Sequence, residues 1–515
     1  MTRFTFDRMD TVWQLLQRGD DQGVAIGSAE GGAPLRHGQL RALIERTVAA
    51  LNAAGVGRGS RVATALRNSP ETAAALLAIS CGATAAPLNP ALTAEEFDFE
   101  LGDLRADVVV AEAGAPSPMR EVAAARGLPI VELVAETAGG AGSFRLVFPQ
   151  KMAGPAPHGG FAGRDDIALL LHTSGSTARP KLVPLLQRNL AASARHIVAA
   201  LLLTPHDVCL NVMPLFHIHG LVAGLLSSLA AGGAAVCTPG FNGLRFFRWF
   251  AEARPTWYTA VPTMHQAILS RAHLHRVDIA RGHLRFIRSC SSSLPPVVME
   301  ELERTFHCPV VEAYGMTEAA HQMTCNPLPP AARKPGSVGV PSGCEVAITG
   351  EAGELLPQGS IGEVVIRGPN VTPGYEANDE ANAKSFAGGW FRTGDQGMLD
   401  AGGYLHLTGR LKELINRGGE KIAPLEIDQV LMRHPAVQQC VSFGMPHEHL
   451  GEEIAAAIVL REGKTSTERE LREFAARHLS HSKLPRKVVF VHEIPKGATG
   501  KLQRIGLAHK LGLVS

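Results

Sequence analysis

Apolar residues recur along this chain in two periods, and the way the periods alternate predicts the fold. Leu40, Leu43, Ile44, Val48 and Leu51 fall on one face of a helix, the three-to-four spacing that turns a single stripe inward. Residues 61–66 read as a strand, 72–80 as a helix, and 108–110 and 167–171 as buried strands. Residues 221–231 read as a buried helix feeding a buried strand over 234–238, with Gly232, Gly233, Pro239 and Gly240 breaking what would otherwise resemble a membrane span. Strands alternating with helices imply mostly parallel sheets covered by helices. The Gly/Pro-rich residues 138–163 read as a connection.

From residue 337 to about 404 the texture changes to short strands with frequent glycine, as in a small β-rich subdomain. A compact tail follows, with strands over 437–443, 454–460 and 488–491 and a helix over 467–479. The predicted class is α/β. A large N-terminal domain (1–410) of α/β subdomains plus a small β-rich subdomain precedes a small α+β C-terminal domain (411–515).

At 515 residues the chain is too long for a single core. Its formal charge of +2 comes from 50 basic and 48 acidic residues with no concentrated basic stripe, which excludes a nucleic-acid binder. The eight cysteines are dispersed with no C-x-x-C pair, a pattern that favours a reducing compartment over a zinc site or a disulfide framework. The first residues lack a signal peptide's apolar core and the last are not a peroxisomal address. A cytoplasmic protein without a membrane anchor, monomeric or homodimeric, is expected.

The densest chemistry lies in Leu171-His-Thr-Ser-Gly-Ser-Thr-Ala-Arg-Pro-Lys181. A strand running into hydroxyl residues, a glycine and a lysine aims backbone N–H groups, hydroxyls and one cation at a small volume, as a polyphosphate requires. The spacing is not that of the common G-x-x-x-x-G-K-[ST] loop. Five further segments accompany it: Pro214-Leu-Phe-His-Ile-His-Gly220, Glu312-Ala-Tyr-Gly-Met-Thr-Glu318, Trp390-Phe-Arg-Thr-Gly-Asp395, Gly409-Arg-Leu-Lys-Glu-Leu-Ile415 and Pro495-Lys-Gly-Ala-Thr-Gly-Lys501. In this order they resemble the adenylate-forming superfamily of acyl-CoA synthetases, adenylation domains and luciferases, over about residues 10–510.

That resemblance implies a two-step reaction. A carboxylate attacks the α-phosphorus of ATP to give acyl-adenylate and pyrophosphate, and the thiol of coenzyme A then displaces AMP. An anion attacking a polyanion makes charge neutralisation and positioning the main catalytic tasks. By resemblance, Thr173, Ser174, Gly175, Ser176, Thr177 and Lys181 cradle the β- and γ-phosphates, and Thr317 contacts the α-phosphate. Glu318 holds Mg²⁺, a hard cation suited to carboxylate and phosphate oxygens. Tyr314, with Gly315, offers a face for adenine; Asp395 accepts from both ribose hydroxyls, joined by Arg410; Ser291 lies beside the nucleotide. Lys501 offsets charge at the reacting carboxylate. Lys412 matches the hinge, and Gly418, Gly419 and Glu420 the loop of the coenzyme A step. Ala178, Leu182 and Gly497 depart from frequent residues of the family without removing a charge.

The middle of the chain narrows the resemblance. Trp257-Tyr-Thr-Ala-Val-Pro-Thr263, Phe286-Ile-Arg-Ser-Cys-Ser-Ser-Ser293, His321-Gln-Met-Thr-Cys-Asn-Pro327, Lys334-Pro-Gly-Ser-Val-Gly339 and Asn416-Arg-Gly-Gly-Glu-Lys421 are similar to the oxalate–CoA ligases of plants and fungi. A short dianion must find donors for its second carboxylate, and His217, Ser289 and His321 are the expected acid-site residues, with a protonated histidine supplying the charge. A CoA ligase for malonate or another small, medium-chain or aromatic acid, an enzyme loading a carrier-protein thiol, and a silent nucleotide binder are the alternatives.

Overall fold

The computed structural model describes residues 6–150, 152, 154–173, 180–497 and 500–513. Two large, mainly parallel sheets dominate. In the first, the strands Val24–Ser28, Ala234–Cys237, Val208–Asn211, Trp257–Ala260, Phe286–Ser289 and Val310–Met316 run parallel, with Leu35–Arg36, His321–Cys325 and Val340–Pro341 added antiparallel at the edges. In the second, Ile130–Ala135, Val108–Glu112, Arg61–Thr64, Thr84–Pro87 and Ile167–His172 are parallel, flanked by antiparallel Phe144–Val147 and Leu182–Leu186. The helix Pro70–Gly82 packs against strands of both sheets. Its interior residues are apolar all round, and Ala73, Ala74, Ala75, Ala78 and Ile79 have no exposed surface, as a helix covered on every side requires. Ser69 caps it through the N–H of Thr72, and Pro70 occupies the first turn, where no hydrogen bond is lost.

A five-stranded sheet (Glu345–Thr349, Gly362–Arg367, Trp390–Leu399, Phe386–Ala387 and Leu405–Arg410) forms the β-rich part, and a second one underlies the tail. The tail sheet joins Glu420–Ile422, Ile415–Arg417, Gly451–Leu460, Val437–His447 and, in parallel, Lys487–Phe490. The helix predicted over 467–479 spans Glu468–Ala476, with Thr467 and Glu470 forming a capping box.

One expectation fails locally. Residues 138–163 contain the strand Phe144–Val147, paired with Ile130–Ala135. It is a short edge strand with one fully buried side chain, Phe144, and glycines at 139, 140 and 142 mask its pattern. The helix expected from residue 221 begins at His219 and is wound as a π-helix over His219–Leu226 before becoming α-helical at Ser227–Ala230. No helix among the described residues is long and apolar enough to cross a membrane.

Candidate active site

The parallel strands of the first sheet all deliver their carboxyl ends to one place. Val208–Asn211 leads to His217 and His219, Trp257–Ala260 to Thr263, Phe286–Ser289 to Ser291, and Val310–Met316 to Thr317 and Glu318. Open parallel sheets bind ligands at this edge because every connecting loop there leaves on the same side. Register then sets the neighbours: Asn211 pairs with Thr259, Thr259 with Arg288, and Ala260 with Ser289.

The nucleotide-side residues assemble in pairs. The Tyr314 hydroxyl donates to Asp395, and Arg410 Nε lies 3.2 Å from the other Asp395 oxygen. Asp395 and Arg410 are register partners on the strands Trp390–Leu399 and Leu405–Arg410. Burial raises the Asp395 carboxyl, against the lowering effect of Arg410. Gly315 is dictated by packing, since a Cβ there would meet the His321 carbonyl oxygen at 1.8 Å. Glu318 accepts a hydrogen bond from the Tyr375 hydroxyl at 2.8 Å, and Lys181 Nζ stands 4.2 Å above the centre of the Tyr375 ring. Tyr375, which sequence reasoning passed over, therefore joins the candidate phosphate lysine to the candidate metal carboxylate. Burial lowers Lys181, and Glu318 partly restores it.

Thr173 and Lys181 close the neck of the phosphate loop. The Thr173 N–H donates to the Lys181 carbonyl at 2.9 Å and the Lys181 N–H to Thr173 Oγ1 at 3.2 Å. The strands that flank the loop, Ile167–His172 and Leu182–Leu186, pair antiparallel. Ser174, Gly175, Ser176 and Thr177 lie outside the described residues.

The tail domain reaches into the same site. Lys501 is half-buried; burial and Arg410 lower its pKa, while Cys290, Asp395 and Glu318 raise it. It also acts on His217, whose pKa burial and Lys501 push down to about 3. Thr263 Oγ1 donates to the Gly500 carbonyl at 2.8 Å, Gln266 Nε2 to the Gln438 carbonyl at 3.1 Å, and Gln439 Nε2 to Gln266 Oε1 at 3.0 Å. Lys412 is exposed in the short turn Leu411–Glu413, whose Glu413 pairs with Arg504 at 3.2 Å. Gly418 and Gly419 stand at φ of 60° and 89° in the two-residue turn between Ile415–Arg417 and Glu420–Ile422. Two consecutive positive φ values are what such a hairpin turn requires, so the turn itself explains both glycines. Glu420 is exposed and accepts from Ser482 at 3.3 Å.

The acid side differs from expectation. His219 and His321 are buried with stacked rings, centroids 5.0 Å apart. Burial first, then neighbouring positive charge, holds both well below the usual histidine range. With His217 also lowered, burial biases all three imidazoles toward the neutral form in the free protein, against the protonated histidine expected to meet the acid. The charge resides instead on Arg288, which the sequence reading quoted and passed over. Arg288 has no exposed surface. Its partners among the described residues are all neutral: His321 Nε2 at 3.1 Å, Gln322 Oε1 at 3.0 Å, Thr259 Oγ1 at 3.3 Å and His219 Nε2 at 3.4 Å. Arg288 Nε and the adjoining Ser289 Oγ are buried without a hydrogen-bond partner. A buried charge without a counter-charge costs several kcal/mol, on the order of the whole net stability of many domains. Such a cost persists where a ligand supplies the missing charge. The sequence signal was a charged residue within the otherwise apolar run Phe286-Ile-Arg-Ser289.

Comparison with known proteins places the chain in a family. The family model described as AMP-binding enzyme matches residues 16–376, and the model of its C-terminal domain matches residues 426–501. The chain belongs to the AMP-binding enzyme family. This AMP-binding enzyme is 48% identical to an oxalate–CoA ligase of Arabidopsis thaliana, over 93% of both chains. It is 42% identical to an oxalate–CoA ligase of Saccharomyces cerevisiae, over 87% of this chain and 86% of that one. The ATP-bound crystal structure of MatB from Rhodopseudomonas palustris superposes with a TM-score of 0.85 at 31% identity, covering 96% of this chain and 97% of that one.

Proposed function

We propose that this AMP-forming acid–CoA ligase takes oxalate as its acid. The observation that carries the reading is Arg288: a fully buried guanidinium held only by neutral groups, next to the partnerless hydroxyl of Ser289. Oxalate has two carboxylates on adjacent carbons. One must remain free to attack phosphorus, so the other needs a fixed charge and directional donors within a few ångströms. An apolar acid would gain nothing from Arg288 and would leave it desolvated. The oxalate–CoA ligases among its relatives support the same acid.

In this reading each named group has one task. Tyr314, Asp395 and Arg410 seat the adenosine, Asp395 accepting from the ribose hydroxyls. Lys181, Thr173 and the loop residues 174–177 bind the outer phosphates. Glu318 fits Mg²⁺, which favours one or two carboxylates plus substrate phosphates, because Tyr375 orients one of its oxygens and the other has no hydrogen-bond partner among the described residues. Mg²⁺, when bound, neutralises phosphate charge. Arg288, Ser289 and His321 hold the distal carboxylate of the acid, and His217 closes the site beside Lys501. Lys501 meets the charge that builds between the attacking carboxylate and the α-phosphorus, and its depressed pKa marks the desolvation that strengthens that contact. The oxalyl-adenylate then passes to coenzyme A, with rotation about Lys412 exchanging Lys501 for the loop of Gly418, Gly419 and Glu420.

The test is AMP release with ATP, Mg²⁺ and coenzyme A, comparing oxalate with acetate, malonate, octanoate and 4-coumarate, and identifying the thioester by mass. Oxalate-dependent turnover yielding oxalyl-CoA supports the reading. Turnover favouring a monocarboxylate rejects oxalate and leaves the ligase chemistry standing.

A further inference from the structure

Thr259, His219 and Ser291, the last expected beside the nucleotide, sit in a chain that Arg288 orients. A guanidinium carries donors and no acceptor, so each atom it touches must accept. Arg288 Nη1 lies 3.3 Å from Thr259 Oγ1. The Thr259 hydroxyl lies 2.6 Å from His219 Nε2, and it donates its one proton there because that nitrogen can only accept. His219 Nε2 also faces Arg288 Nη1 at 3.4 Å, so every contact at this nitrogen requires it to accept. The ring proton of neutral His219 therefore sits on Nδ1, which donates to Ser291 Oγ at 3.0 Å. Ser291 cannot return its proton to a nitrogen that already donates, and its hydroxyl hydrogen is released toward the site.

We propose that Arg288 imposes a one-way hydrogen-bond chain, Arg288 to Thr259 to His219 to Ser291, which fixes the Ser291 hydroxyl as a donor to the bound carboxylate and makes Thr259 and His219 positioning residues for the acid. A second arm repeats the logic. Arg288 Nη2 donates to His321 Nε2 at 3.1 Å and to Gln322 Oε1 at 3.0 Å, so neutral His321 also carries its proton on Nδ1. Gln322 passes the direction on by donating to Ser342 at 2.8 Å. The two stacked imidazoles are thus neutral and of the same tautomer, so their packing involves no like-charge repulsion.

Backbone strain falls on the ends of both arms. Ser291 stands at φ of 76° and His321 at 105°, in the left-handed region that side chains avoid. Strain of this kind is kept where surrounding structure holds a group for function. Here it holds the terminal donor of each arm in place. The outcome is that both arms end in donors. This suits an acid that presents acceptors at both ends and turns away one that presents an N–H.

The inference takes from the oxalate reading only the identity of the anion, and its test is separable from that reading. In free protein with ¹⁵N-labelled histidine, the imidazole shifts of His219 and His321 are expected to report Nδ1–H tautomers. Thr259→Val is expected to raise KM for the acid roughly fivefold, the worth of one net hydrogen bond, with KM for ATP unchanged, and Thr259→Ser is expected to restore it. An Nε2–H tautomer at His219, or a Thr259→Val enzyme with unchanged KM for the acid, overturns the chain. Turnover of another carboxylate in place of oxalate overturns the oxalate reading alone, because the tautomers are read without acid and the KM shift with whichever acid turns over.

Discussion

Replacing Arg288 with methionine separates its cost to the fold from its use to the reaction. The substitution keeps the length of the stem and removes the charge. In the proposed complex it deletes Arg288, which among the described residues is the one lysine or arginine without exposed surface. Breaking a buried, hydrogen-bonded charge pair costs about 2–5 kcal/mol, which lowers kcat/KM for oxalate by roughly 30- to 4,000-fold. In the free protein two effects oppose each other. Removing an uncompensated buried charge is worth several kcal/mol, and four acceptors, on Thr259, His219, His321 and Gln322, lose a donor at about 1 kcal/mol each. Net stability therefore stays within about 2 kcal/mol of wild type. The assay pairs steady-state AMP release over an oxalate series with urea unfolding, and KM for ATP should hold, since Tyr314, Asp395 and Arg410 do not touch Arg288. A folded variant with oxalate kinetics within about fivefold of wild type, or one too unstable to purify, would refute the assignment of Arg288 to the substrate.

The docking of the tail gives a second expectation: Thr263→Val removes the hydrogen bond to the Gly500 carbonyl and should slow pyrophosphate–ATP exchange about fivefold while leaving the thioester half-reaction, started from preformed adenylate, unaffected. Tyr375→Phe keeps the ring beneath Lys181 but loses the hydroxyl on Glu318, so KM for MgATP should rise about fivefold, and Tyr375→Leu should raise it further. Stability should fall with acid: His219, His265 and His321 are buried and neutral with pKa values depressed below the ordinary 6.5. Below that pH the unfolded chain binds protons the folded one does not, and each such group removes about 1.4 kcal/mol per pH unit. Glu312 acts in the opposite sense: burial pushes its carboxyl up to about 8, so its stabilisation is present at low pH and is lost as pH rises from the ordinary carboxylate range to about 8. A melting-temperature scan should therefore peak near pH 6.5, and Glu312→Gln should flatten the alkaline side.

Sequence pattern was a good guide wherever burial alone decided the structure. The strand Ile167–His172, the helix Pro70–Gly82 and the helix Glu468–Ala476 lie where apolar spacing placed them, because each buries one face or all of its surface. The edge strand Phe144–Val147 escaped notice because a single buried phenylalanine leaves no period to read. At the site, the residue types that carry charge to phosphate and ribose were legible from their motifs, and the fold brings Tyr314, Asp395, Arg410 and Lys501 together. The acid side was half legible. Serines and histidines drew attention for their chemistry, whereas Arg288 matters through its burial, and burial depends on which strands flank Phe286–Ser289. His219, quoted only as part of the segment 214–220, is buried and hydrogen-bonds to both Thr259 and Ser291. Protonation states followed the same rule, since no local pattern reveals the burial that, ahead of neighbouring positive charge, lowers the three imidazoles.

The ratio of kcat/KM for oxalate to that for oxamate tests the central claim most directly. Oxamate matches oxalate in size and replaces one carboxylate oxygen with an amide nitrogen, so it removes the second charge and points N–H groups at donors. A site built around Arg288 should favour oxalate by at least about 100-fold, the scale on which a buried polar site rejects a mismatched partner. Comparable turnover of the two would contradict a dianion site and with it the assignment of oxalate.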